Sequence, residues 1–353
     1  MARTKKTSAV GETLEKVEQE LSKLEPVDPS FIGLAKEDDK TVNFDGALLP
    51  KKEAGLPFVP KLNQNYVFGP WTFDIATDLF ENKSILLTGH AGVGKSSVFQ
   101  QIASRIGQPV LRANLNGQMS VSELVGTWTV KSGETVWVDG VLTTAMRNGY
   151  WLVLDEIDCG DAEILASLNT VLEPLDPDSP FDTPRYLTLK EKGHEVVQSH
   201  ENFRIVATAN SVGEMQVYRH LYQGTRPMND AFLDRFRVYV MSYPSEADEA
   251  QILTRTFTSA GLHPSLALKL VQTANLVRDG FVRQEIRSTF SIRRLFDFTA
   301  QILRYKRKAG EVKSSKELND IIHKAAEASF FAKMVKEDQE VVREIITRTL
   351  NTK

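Results

Sequence analysis

The sequence predicts an α/β protein: a parallel sheet covered by helices on both faces, two inserted β-hairpins, and an all-helical domain behind it. Three observations carry this reading. Short apolar runs alternate with helical periods between residues 84 and 242. Those runs are continuously apolar, as strands buried on both faces are. After Pro244 the strand-like runs stop, and the periodic segments that follow are helical.

Composition fits a globular chain. Its 353 residues are 41% hydrophobic and 25% charged, which excludes wholesale disorder and a collagen-like fibre. Lys+Arg is 43 and Asp+Glu is 46, so the formal charge of −3 gives no overall attraction to nucleic acid or an anionic membrane. The single cysteine, Cys159, forbids an intramolecular disulfide, suits a reducing compartment, and has no His/Cys metal-ligand spacing around it. There is no run of 18 apolar residues, and the basic start MARTKKTSAV has no apolar signal core behind it. A soluble cytoplasmic protein without membrane association is expected.

Residues 1–60 read as an arm or linker with one helix at 9–25, where Leu14, Val17, Leu21 and Leu24 recur at spacings of three and four until Pro26. From Pro26 to Pro60, Gly and Pro punctuate a stretch with no sustained period. The α/β core is placed at 61–243. Its strands are expected at 84–88 (SILLT), 109–114 (PVLRAN), 151–155 (WLVLD), 203–209 (FRIVATA) and in VYVMSY before Pro244. Its helices are expected at 95–106, 141–148 and 161–173. Hairpins are expected at 127–138, turning at Ser132-Gly133, and at 185–198 around Lys192-Gly193. The helical domain, 244–353, is expected to hold helices at 245–260, 264–278, 291–308, 314–334 and 336–350.

Residues 89–96, GHAGVGKS, match Gly-x-x-x-x-Gly-Lys-Ser/Thr between a strand and a helix. Gly89, Gly92 and Gly94 let the backbone curl, so that the amides from Gly89 through His90, Ala91 and Val93 to Ser97 can turn toward phosphate oxygens. Lys95 supplies a point charge for the outer phosphates, Ser96 a hydroxyl ligand for Mg²⁺, and the helix start the positive end of its dipole. Sixty residues on, WLVLDE ends an apolar strand in two acids at the sheet edge where open α/β sheets bind ligands. Asp155 is expected to hold Mg²⁺ through water, and Glu156 to orient and polarise the attacking water. Asp158 reads as a solvated residue or a helix cap.

Three further candidates follow. Asn210 ends FRIVATA, where its amide would stand beside the γ-phosphate; the bland alternative is a turn-forming Asn. Arg235, in NDAFLDRF, could reach across a subunit boundary to a transferring phosphoryl group, with Arg237 as a rival and an intrachain bridge to Asp230 or Asp234 as the alternative. Arg293, in SIRRLFDF, opens a helix and could touch the nucleotide, with Arg294 as its rival.

In this order the motifs resemble those of the AAA+ ATPases. The two hairpins resemble the helix-2 and pre-sensor-1 inserts of the MoxR-like and chelatase branch. YVFGP (66–70), LVGTWTVKSG (124–133), DGVLTTAMRNGYWLVLDEID (139–158), ATANSVG (207–213) and LYQGT…DRF (221–236) are similar to the ATPase subunits of aerobic cobaltochelatases. The resemblance implies Walker A at Gly89, Gly92, Gly94, Lys95 and Ser96, Walker B at Asp155 and Glu156, sensor 1 at Asn210, the arginine finger at Arg235 and sensor 2 at Arg293. The family's Ser-Pro-Arg is Ser291-Ile292-Arg293 here. Tyr66, Val67 and Phe68 would line the adenine pocket. ATP and Mg²⁺ are the implied cofactors, a homo-oligomeric ring, usually a hexamer, the implied assembly, and a von Willebrand A-domain protein the implied partner. The alternative is a nucleic-acid-directed motor, using Lys131, Lys190 and Lys192 on the hairpins. A GTPase is disfavoured because Asn-Lys-x-Asp is absent.

Overall fold

The computed structural model describes residues 41–350 apart from 53–54, 174–183, 223, 311 and 313. The helix expected at 9–25 lies outside the described residues. The chain opens with the antiparallel hairpin β1 (Thr41–Phe44) and β2 (Ala47–Pro50), then α1 (Thr72–Phe80), β3 (Ile85–Gly89), α2 (Lys95–Ile106) and β4 (Val110–Asn114). A short α3 (Val121–Val125) leads into a second hairpin, β5 (Gly126–Lys131) and β6 (Glu134–Asp139), followed by α4 (Val141–Asn148), β7 (Trp151–Asp155) and α5 (Ala162–Leu172). The third hairpin is β8 (Tyr186–Leu189) and β9 (Glu195–Gln198); β10 (Arg204–Ala209), α6 (Asp230–Leu233) and β11 (Arg237–Met241) complete the sheet region. Then come α7 (Glu246–Phe257), α8 (Pro264–Val282), α9 (Ile292–Ala309), α10 (Ser315–Ser329) and α11 (Lys336–Leu350).

Five strands form one parallel sheet in the order β11–β3–β10–β7–β4. Each central strand sends alternate residues to opposite faces. Ile85 and Leu87, Val153 and Val206 pack with α1 and α2 through Ile75, Leu79, Phe99 and Ile102. Leu86, Leu152, Leu154, Ile205 and Ala207 pack with α4 and α5 through Leu142, Met146, Ile164 and Leu168. Both faces are therefore covered, and all carboxyl ends of the strands point to one edge. The helices after β11 share a separate core in which Phe290, Phe298, Phe330 and Phe331 meet edge to face.

Residues 41–50 differ from expectation. Instead of a loop-like stretch they form β1–β2, and Phe44, Ala47 and Leu49 are buried in the same cluster as α1 and α2. Asp45 and Gly46 take φ of 55° and 105°, and the Gly46 amide donates to Asn43 Oδ1 at 2.7 Å. An Asp-Gly turn of this kind directs a tight hairpin, and strands of four residues are too short to display a period.

Candidate nucleotide site

The loop between β3 and α2 turns on glycine conformations. Gly94 caps α2 with φ 98°, a left-handed geometry that L side chains avoid. Gly92 has φ 77°, and a Cβ there would stand 2.2 Å from Ser291 Cβ, so α9 begins against the loop. Ile292 N–H also donates to Gly92 O at 3.3 Å. Tyr243 O–H donates to Ala91 O at 3.0 Å. On the other side, Tyr222 O–H lies 2.7 Å from His90 Nδ1 and accepts from the Ala91 amide at 3.3 Å. Burial pushes the Tyr222 phenol up to about 12, while burial and then Lys95 lower His90, so a neutral phenol faces a neutral imidazole.

Lys95 opens α2 and is only 8% exposed. Its Nζ donates to Gly89 O at 2.7 Å, His90 O at 3.1 Å and Asn210 Oδ1 at 2.8 Å. Burial pushes its pKa down to about 8, against the pull of Asp158, Glu156 and Asp155. Ser96 Oγ donates to Asp155 Oδ1 at 2.5 Å, and Thr208 Oγ1, from β10, donates to the same oxygen at 3.1 Å. Asp155 Oδ2 receives Arg112 Nε at 2.8 Å and a second bond from the same guanidinium.

Glu156 follows with φ 58°, left-handed for a non-glycine residue, and its side chain is exposed. Such strain, of order 1–3 kcal/mol, is tolerated where the surroundings impose it. Here the Glu156 amide is tied to Thr208 Oγ1 at 3.3 Å, and a 3₁₀ turn at Ile157–Cys159 follows at once.

Asp158 corrects the expectation of a solvated residue or helix cap: it is 1% exposed. Its Oδ2 accepts from the amides of Asn210 and Ser211, both at 2.9 Å, and from Ser211 Oγ at 2.8 Å. It thereby fixes the turn that aims the Asn210 amide at Lys95. Cys159 beside it is pushed up to about 11 by burial and then by Asp158 and Glu156, so it stays a thiol.

Among the described residues, no side-chain bond joins the remaining candidates to this group. Arg235 bonds Ala231 O and has Glu173 Oε1 at 3.8 Å, so its partners are neither Asp230 nor Asp234. Arg237 faces Asp78 at 3.9 Å. Arg293 is exposed on the first turn of α9, while Arg294 turns back to Thr289 O at 2.9 Å. Phe68 stacks edge-on with Tyr66 and Phe44 and lies under the Arg105 guanidinium at 4.8 Å. Arg105 is ten residues past Lys95, about 15 Å along α2. Phe68 and Arg105 also line a cavity of ≈ 430 Å³ with Asn43, Asp45 and Thr72. Val67, between them in sequence, is half-buried. On the hairpins, Lys192 pairs with Glu195 at 2.8 Å and Trp128 Nε1 donates to Glu191 O at 2.9 Å.

The donor set suits the implied groups. Ser96 and Asp155 offer hard oxygen ligands, and among the described residues no cluster of three or more His, Cys, Asp or Glu could cage a metal alone. Mg²⁺ bound together with phosphates takes only one or two such protein oxygens, so this pair would be enough to hold it. Arg112, Thr208, Tyr222, Tyr243 and Asp158 belong to the site without having been given a role in it from the sequence. Arg112 alone left a trace, as a charge inside an apolar strand.

A phosphate loop, an acid-ended strand and a polar-ended strand side by side in this sheet order define a P-loop ATPase of the AAA+ class. Residues 84–236 match the AAA domain of the dynein-related subfamily. The chain is 30% identical over 254 residues to the aerobic cobaltochelatase subunit CobS of Sinorhizobium sp, covering 69% of this chain and 73% of that protein. It is 31% identical over 209 residues to protein NorQ of Paracoccus denitrificans (strain Pd 1222), covering 59% and 69%, respectively. It is also 32% identical over 190 residues to protein CbbQ of Hydrogenophilus thermoluteolus, covering 54% and 63%. The chain belongs to the MoxR-type AAA+ ATPases, the family of these relatives. Among the described residues no helix is long and apolar enough to cross a membrane.

Proposed function

We propose that this ATPase works as a Mg²⁺-dependent ring, a hexamer, that hydrolyses ATP at its subunit boundaries to remodel a partner protein. The observation that carries the catalytic part is the junction of three strand ends: Lys95 with Asn210 at 2.8 Å and Ser96 with Asp155 at 2.5 Å. In this reading the amides from Gly89 to Ser97 and the Lys95 ammonium hold the phosphates. Ser96 and Asp155 hold Mg²⁺, which offsets charge on the phosphate oxygens. Glu156, exposed just past the strand end, takes a proton from water as it attacks. Asn210 fixes that water and the outer phosphate. Arg293, on the turn of α9 against Gly92, touches the nucleotide from the helical region, whereas Tyr66 and Phe68 pack with Phe44 at the Arg105 end of α2, which does not favour them as the adenine pocket.

Arg235 serves a neighbouring subunit. Its own partners, Ala231 and Glu173, are not residues of the phosphate loop, which leaves room for action in trans. CobS is a cobaltochelatase subunit, so a cobaltochelatase-type complex with a von Willebrand A-domain protein is the partner class to test first. The hairpins are the surfaces for passing motion to a client; Trp128, Val130 and Val196 are exposed on them. The pairing of Lys192 with Glu195 removes one of the three cations a nucleic-acid motor would use there.

Complementation tests the shared site. Arg235→Ala should lower turnover by about 10³-fold, with nucleotide affinity retained, and Lys95→Ala should abolish binding. Mixed together, the two inactive proteins should regain measurable hydrolysis, because each supplies what its neighbour lacks. Mixtures that stay as inactive as the separate variants would place the finger elsewhere.

A further inference from the structure

Arg112 makes a guanidinium contact with a site carboxylate that no motif anticipates. It lies on β4, where the parallel register sets Asn114 beside Asp155 and Arg112 beside Val153. Residues two apart on a strand share a face, so Arg112 and Asp155 both rise toward α2. The Arg112 fork places Nε at 2.8 Å from Asp155 Oδ2 and a second nitrogen on the same oxygen. The other oxygen is taken by Ser96 and Thr208. A carboxylate offers about four acceptor positions, and all of them here have donors.

We propose that Arg112 is a positioning residue that competes with Mg²⁺ for Asp155. This rests on the reading of Ser96 and Asp155 as the Mg²⁺-holding pair. Three observations point the same way. Mg²⁺ demands near-octahedral oxygen geometry and brings its own waters, which need the acceptor positions that the guanidinium fills. A guanidinium and a divalent cation sharing one carboxylate repel each other, and arginine cannot lose its proton to relieve that. The side chains also differ in freedom: Arg112 is 49% exposed and Asp155 11%, so the arginine has water to retreat into while the carboxylate stays fixed by β7 and Thr208. Arg112 thus keeps Asp155 neutralised and correctly aimed, and raises the Mg²⁺ concentration at which a magnesium nucleotide settles.

The test titrates Mg²⁺ into the full chain with a fluorescent methylanthraniloyl-ADP, for wild type, Arg112→Gln and Arg112→Lys. The Mg²⁺ concentration for the half-maximal gain in affinity should fall about tenfold in Arg112→Gln, a typical coupling between two competing ligands. Affinity in EDTA should stay at the wild-type value. Arg112→Lys should lie between the two, since a point charge lacks the two-bonded grip. An unchanged or higher Mg²⁺ requirement in Arg112→Gln would overturn the competition. Equal losses of affinity with and without Mg²⁺ would overturn it too, making Arg112 a direct nucleotide contact or a strand brace. A wild-type protein whose nucleotide affinity ignored Mg²⁺ would sink the Ser96–Asp155 reading itself, an outcome distinct from the other two.

Discussion

Lys95 holds its charge in surroundings that disfavour it. Buried to 8% exposure, it is pushed down to about 8, although three carboxylates oppose the shift. The sign of the consequence follows. A bound triphosphate requires the ammonium form, so above pH 8 the free protein must take up a proton when nucleotide binds. Nucleotide affinity, followed by fluorescence titration, should therefore weaken by up to about tenfold per pH unit from roughly pH 8.5 to 10. Lys95→Arg should flatten the profile at whatever affinity it retains; a wild-type profile level across this range would contradict the assignment. Lys95 and Ser96 were legible through the strand–loop–helix pattern around them, and Asp155 and Asn210 as polar ends of apolar strands. Asp158 was not: an acid two residues beyond an acidic pair looks solvated, and only the fold shows that the amides of Asn210 and Ser211 converge on it. Glu156 was legible as a residue, but its left-handed backbone has no sequence mark.

At the scale of elements, the phosphate loop is gripped from the helical region as well as from the sheet. Tyr243 bonds Ala91 O, and the Arg278 guanidinium of α8 lies 3.7 Å from the Tyr243 ring centroid. Arg278 is in turn bonded in a fork to Glu249 of α7 at 2.6 and 2.7 Å, and its Nε donates to Phe290 O at 2.8 Å. Both charges are buried, and removing one partner strands the other. Glu249→Gln should cost about 3 kcal/mol of stability, read from urea denaturation, and should weaken nucleotide binding through Tyr243. A loss of only a few tenths of a kcal/mol would mean that water reaches the pair. This grip also explains a boundary. A helix expected to end at 278 runs to Val282, because Arg278 faces inward and Gly280 leaves room for Ile286, whose Cδ1 would stand 2.8 Å from an added Cβ. Read alone, a charged pair before a glycine signals a helix end. The sheet strands, by contrast, were legible as continuous apolar runs, and the β5–β6 turn at Ser132-Gly133 takes the positive φ of 54° and 85° that such a pair suggests.

Over the whole molecule, the order β11–β3–β10–β7–β4 places the phosphate loop on a strand adjacent to Asn210's strand and one removed from the acids. Three segments far apart in sequence thus meet at one sheet edge, while α9 and α8 close on the loop from the side. The sequence foretold that meeting through its motifs, whereas the β1–β2 hairpin, packed beneath α1 and α2, had only an Asp-Gly turn to announce it. In the ring proposed above, Arg235, held here by Ala231 O and facing Glu173, is the residue assigned to the next subunit's nucleotide. The central claim is narrower than the ring: that this edge grips a triphosphate and that Glu156 readies water against it. Glu156→Gln measures it most directly, with ATP affinity and steady-state hydrolysis determined on the same preparation. Affinity should stay within about twofold of wild type while turnover falls by at least about 100-fold, the contribution of a positioned general base. Hydrolysis at the wild-type rate in that variant would contradict the account.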